Sequence, residues 1–167
     1  MAYVSYRSKT GTTTGVGIEA QRRRPDPLRM EVPATADQLA EIRRRVSSWL
    51  ESLVSGAAAA DIVLAVNEAC SNCIEHAYRD GPPGLIEVEA SVEPDSSGWQ
   101  IAICIADFGT WRAPPSQPTT RGRGLAIMSA LSDDVDLERT SAGTTVRITF
   151  ALAAVGGDGQ RPGSRTT

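Results

Sequence analysis

Cysteine is scarce in this sequence of 167 residues. There are three, an odd number and too few to staple a disulfide scaffold, which predicts a reducing compartment. Long apolar runs are missing too: no stretch reaches the roughly 18 residues of a membrane span, and the N-terminus lacks the apolar centre of a signal peptide. A cytoplasmic protein without membrane association is therefore expected. Basic charge is thin over most of the chain. Residues 1–29 carry six Lys/Arg against two acids, whereas 30–167 carry eleven against eighteen. A dedicated nucleic-acid surface needs clustered Lys and Arg to displace phosphate counterions, so an acidic body argues against direct nucleic-acid binding. The cluster Arg22, Arg23 and Arg24 is read either as part of a solvated tail or as a contact for an anionic partner. No internal repeat is visible.

What is present fits one globular domain, since a chain near 150 residues buries roughly 70% of its unfolded surface. Residues 1–27 are rich in Gly, Thr, Ser and Arg without apolar periodicity and read as a flexible N-terminal arm. Residues 154–167 repeat that character as a disordered tail, leaving 28–153 as the folded body. Within it, Leu28 to Val32 alternates as a strand, and Thr35 can cap a helix whose apolar positions Leu39, Ile42, Val46, Trp49, Leu50 and Leu53 recur at helical spacing. Gly56 stops that helix. An Ala-rich run, 57–78, predicts a longer helix ending at Asp80-Gly81-Pro82-Pro83-Gly84. Strands follow at 85–92 and 101–106, then a Pro-rich loop, a short helix over 124–131, and a hairpin of 135–139 with 144–152 turning at Ser141-Ala142-Gly143. So many hairpins predict an α+β two-layer sandwich, a mostly antiparallel mixed sheet with helices on one face.

The second helix carries the informative pattern. Glu68, Asn72 and Glu75 stand at i, i+4 and i+7 and share one face among apolar neighbours. Desolvating a carboxylate costs several kcal/mol unless it is paired, so the stripe either lines a cleft or reaches solvent. Further along, an apolar strand runs into Asp107-Phe108-Gly109, and Gly122-Arg123-Gly124 opens a helix. A carboxylate at a strand end can accept from an adenine amino group. Glycine beside it lets backbone approach the base, and free N–H groups at a helix start favour phosphate.

In this order the segments resemble the GHKL ATPases, the fold of gyrase, heat-shock chaperones and histidine kinases, and most closely the bacterial anti-sigma-factor serine/threonine kinases. The run Glu68 to Tyr78 is similar to the family's N box, Asp107-Phe108-Gly109 to its first glycine box, Arg121-Gly122-Arg123-Gly124-Leu125 to its second, and Gly143-Thr144-Thr145 to the nucleotide contact of its last strand. The resemblance implies ATP and Mg2+ as cofactors. Asn72 would be the metal ligand, Glu68 the general base and Asp107 the reader of the adenine amino group. Glu75, Gly109, Gly122, Gly124, Leu125, Thr144 and Thr145 would line the nucleotide. Arg121 and Arg123 either pair with phosphates or are exposed loop charges. A neutral amide ligand means that Mg2+ binds with ATP and hardly without it. The resemblance also implies a sigma factor and an anti-sigma-factor antagonist as partners, phosphorylation of the antagonist, and a homodimer using the first helix or the leading strand. The segment Trp111 to Arg121 would be the ATP lid, short and stiffened by Pro114, Pro115 and Pro118. The alternative is a nucleotide-gated binding module that holds or releases a partner without efficient phosphoryl transfer.

Two other motifs are weaker. Asp107-Phe108-Gly109 also spells the metal-binding triplet of eukaryotic-type kinases, but no Gly-rich strand motif with a downstream lysine accompanies it, and the one lysine, Lys9, lies in the arm. Cys70, Cys73 and His76 have metal-like spacing, yet on one helix they drift around the axis, which favours packing over zinc or redox chemistry.

Overall fold

The computed structural model describes residues 2–7 (backbone only), 24–78, 81–96, 98–110 and 123–152, with Arg123 described by its backbone alone. The alternating segments become six strands: β1 (Ala2–Arg7), β2 (Leu28–Pro33), β3 (Leu85–Asp95), β4 (Gly98–Asp107), β5 (Asp134–Thr140) and β6 (Gly143–Leu152). They form one sheet in the order β1-β5-β6-β4-β3-β2. Every pairing is antiparallel, so the two-layer α+β expectation holds while the parallel component of a mixed sheet is not found among the described strands.

Alternation puts Ile86, Val88, Ala90, Ile101, Ile103, Ile105, Val135, Val146 and Ile148 on one buried face. Glu87, Glu89, Glu138 and Thr145 lie exposed between them. Three helices cover the buried face: α1 (Gln38–Leu50), α2 (Gly56–Asn72) and α3 (Arg123–Leu131). α1 inserts Ile42, Val46 and Leu50, each fully buried, and each contributes about 1.5–3 kcal/mol by leaving water. It begins after Asp37 rather than at Thr35, whose carbonyl accepts from Gln38 N at 3.1 Å.

Residues 56–77 form the one described helical stretch long and apolar enough, by length and composition, to cross a bilayer. This departs from the sequence expectation. Its apolarity has a packing cause, since Ile62, Ala65, Val66, Ala69, Cys70 and Cys73 are core residues under the sheet.

Two further differences have physical reasons. Ala2–Arg7, placed by composition in the flexible arm, pairs along the whole of β5 from Ala2↔Arg139 to Arg7↔Asp134. Its Tyr-Val-Ser-Tyr centre suits a strand, and the open edge of β5 supplies a partner that local composition does not reveal. The long helix also changes pitch: after Asn72 it continues as a π-helical turn, Cys73–Ala77. Residue 1 and residues 8–23 of the arm, the lid and the C-terminal tail lie outside the described residues.

Candidate functional site

The C-terminal half of α2 meets the start of α3, and the turn that follows it meets one end of the sheet. Glu68 and Asn72 are both half-buried on the side of α2 that faces α3. Their proximity is read from Gly124: a Cβ there would lie 3.0 Å from Asn72 Nδ2, 3.3 Å from Asn72 Oδ1 and 3.3 Å from Glu68 Oε2. The helix start thus rests directly on the carboxylate and the amide, an approach that a Cβ would crowd. Leu125, the next residue, is half-buried and packs against the core. Gly122 and Arg121 lie outside the described residues.

Asp107 ends β4 with only 5% of its surface exposed. Its Oδ1 accepts hydrogen bonds from Gly109 N at 3.1 Å and from Thr144 N at 3.3 Å. Burial pushes its carboxyl above the usual carboxylate range, opposed by those two N–H groups, the Cys73 thiol and the Thr144 hydroxyl. The Cys73 thiol donates to this carboxylate and is itself pushed strongly up, by burial first and by the Asp107 charge second. The Thr144 hydroxyl is buried and near enough to favour the Asp107 charge, yet makes no hydrogen bond of ordinary geometry. An acceptor carboxylate beside an unsatisfied hydroxyl suits a base edge that offers both a donor and an acceptor.

The turn after Asp107 is held from the helix side. Phe108 N donates to the Tyr78 hydroxyl at 2.8 Å, and Thr110 N donates to the Ala77 carbonyl at 3.0 Å. Gly109 sits so close to that carbonyl that a Cβ would collide with it, so glycine here answers a close approach. The start of α3 and the Asp107 turn accordingly pack against the same helical stretch, the one that carries Glu68 and Asn72 and ends at Tyr78.

Two expected contacts are not brought together. Glu75 is exposed on the π-helical turn, where the α-helical phasing that aligned it with Glu68 and Asn72 no longer holds. Thr145 is exposed on the opposite face of the sheet from Thr144, as strand alternation requires. Three more residues reach the site without a functional signal of their own in the sequence: Tyr78 ends the N-box run, Cys73 has the spacing of a packing residue, and Arg139 ends the strand expected over 135–139. Arg139 stands opposite Thr144 in β5 as Asp107 does in β4, so the three form one row across the sheet. Burial pushes its guanidinium down, and the Asp107 charge opposes that shift. No pattern within β5 shows this row, because it depends on strand register.

Among the described residues no cluster of three or more His, Cys, Asp or Glu side chains could hold a metal ion, and Cys70 and Cys73 are core residues. Cys70 is buried and its thiol is pushed up to about 12.

Residues 32–150 match the family of the histidine kinase-like ATPase domain. The chain is 29% identical to the serine-protein kinase RsbW of Bacillus pumilus, over 76% of this chain and 86% of that protein. It is 30% identical to the RsbW of Oceanobacillus iheyensis, over 67% of this chain and 78% of its relative. Likeness to the anti-sigma F factor of a Thermoanaerobacter species reaches 35% over 54% of this chain and 68% of that protein. The chain thus belongs to the histidine kinase-like ATPase domain family, on its branch of RsbW-type serine-protein kinases and anti-sigma F factors.

Proposed function

We propose that the chain binds Mg-ATP at this site, transfers the γ-phosphoryl group to a serine or threonine of an anti-sigma-factor antagonist, and sequesters a sigma factor. The observation that carries the reading is the packing of Gly124 over Asn72 and Glu68, which joins a helix N-terminus, a neutral oxygen ligand and a carboxylate. The close approach of Gly124 to Asn72 and Glu68, and the unsatisfied Thr144 hydroxyl beside Asp107, support a nucleotide whose phosphates and base lie near those two places.

The N–H groups at the start of α3 favour the phosphates, as helix starts do. Asn72 would hold Mg2+, which supplies charge neutralisation between phosphate oxygens when bound. Asp107 accepts from the adenine amino group while Gly109 and Thr144 hold its other oxygen. Glu68 accepts the proton of the attacking hydroxyl as its oxygen bonds to the γ-phosphorus and the bond to the ADP oxygen breaks. That places on the protein the tasks phosphoryl transfer leaves to it: positioning, charge stabilisation and one base. The sigma factor and the antagonist are read from what the relatives are named for. A homodimer would use α1 or the open edge of β2.

The test is transfer of label from ATP, with Mg2+, to a candidate antagonist. Glu68→Gln should keep ATP affinity and lose about a hundredfold or more in transfer rate. Equal inertness of wild type and variant rejects the transfer reading.

A further inference from the structure

The base-reading turn is held by a side chain outside it. After Asp107, three consecutive N–H groups are committed: Phe108 to the Tyr78 hydroxyl, Gly109 to Asp107 itself, and Thr110 to the Ala77 carbonyl. Two of these three acceptors come from the end of the helix that carries Glu68 and Asn72. Tyr78 is the more specialised of the two, because its hydroxyl accepts from Phe108 N at 2.8 Å and donates to the Leu85 carbonyl at 2.7 Å. It thereby ties the Asp107 turn to the first residue of β3. The ring reaches that position across Gly84, where a Cβ would collide with it.

We infer that Tyr78 is a positioning residue for nucleotide recognition: its hydroxyl sets the path of the 108–110 turn and so the orientation of the Asp107 carboxylate toward the base. The inference rests on the reading of Asp107 as the acceptor of the adenine amino group. The Gly109 N–H that orients Oδ1 lies in the same turn, one residue beyond the N–H that Tyr78 holds. Losing the hydroxyl leaves the Phe108 N–H and the Leu85 carbonyl without this partner and lets the turn relax toward solvent. Phe108 is already 54% exposed, so its ring holds the turn less than a buried side chain would.

The experiment is calorimetric titration of the full chain and of Tyr78→Phe with adenosine, ADP and Mg-ATP. All three ligands should weaken by the same factor, about fivefold, the value of one hydrogen bond. The ratio of ATP to adenosine affinity, which reports the phosphate and metal contacts, should stay unchanged. In an Asp107→Asn background, Tyr78→Phe should cause little further loss, because the two residues act through one group. Wild-type adenosine affinity in Tyr78→Phe overturns the inference, and so does a changed ATP-to-adenosine ratio. If Asp107→Asn itself leaves adenosine affinity intact, the base-reading assignment fails first. Gly84→Ala, which keeps the hydroxyl but displaces the ring, serves if the phenylalanine variant does not fold and should produce the same uniform weakening.

Discussion

Replacing Asp107 by Asn separates recognition from stability more cleanly than any other change at the site. One carboxylate oxygen accepts from Gly109 N and Thr144 N, and the Asn carbonyl can keep both bonds. The other oxygen becomes an NH2 group, which in the proposed ATP complex would meet the adenine amino group donor to donor. Losing a hydrogen bond to a charged acceptor costs about 1.5–3 kcal/mol, roughly 10- to 150-fold in ATP affinity. The unliganded protein should not suffer in the same way. Because burial raises the Asp107 carboxyl in the fold, that group stabilises the folded state below its unfolded value, and the contribution is lost as pH rises through the folded value. The Asn variant removes this dependence, so its thermal midpoint should vary less with pH than that of wild type above the ordinary carboxylate range. Titration calorimetry with ATP and ADP measures the first effect, and melting between pH 4 and about 8 measures the second. An Asn variant that binds ATP as tightly as wild type would show that this carboxylate does not read the base.

Gly124→Ala places a methyl 3.0 Å from the Asn72 amide nitrogen, closer than ordinary contact. A loss of Mg-ATP affinity exceeding the loss for adenosine is expected by calorimetry; equal losses would place the phosphates elsewhere. Cys70 and Cys73, buried with raised thiols, should resist alkylation at neutral pH until denaturant is added, as mass spectrometry of labelled peptides would show. Rapid native labelling of either would revive a reactive role. On the far face of the sheet, Arg147 pairs with Glu93, both about one-third exposed. Arg147→Ala should lower stability by about 0.5–1 kcal/mol in denaturant melts and leave ATP affinity alone; a change in affinity would mean that the two faces of the sheet communicate.

Much of this protein is legible in its sequence. The stripe of Ile42, Val46 and Leu50, the alternation of Ile86, Val88 and Ala90, and the placing of Asp107 at a strand end all follow from side-chain periodicity, which a short segment carries by itself. The same is true of Glu68 and Asn72, one helical turn apart. Tertiary structure decided which groups meet: Gly124 on the Glu68–Asn72 pair, the Tyr78 hydroxyl on the turn after Asp107, and the row of Asp107, Thr144 and Arg139 across three strands. It also overruled local pattern where phase or pairing intervened, exposing Glu75 after the helix widens, turning Thr145 to the outer face, and drawing Ala2–Arg7 out of the arm to close the edge of β5. Periodicity is a property of neighbours along the chain, whereas strand register, a change of helical pitch and the filling of an open sheet edge are settled by residues far apart in sequence.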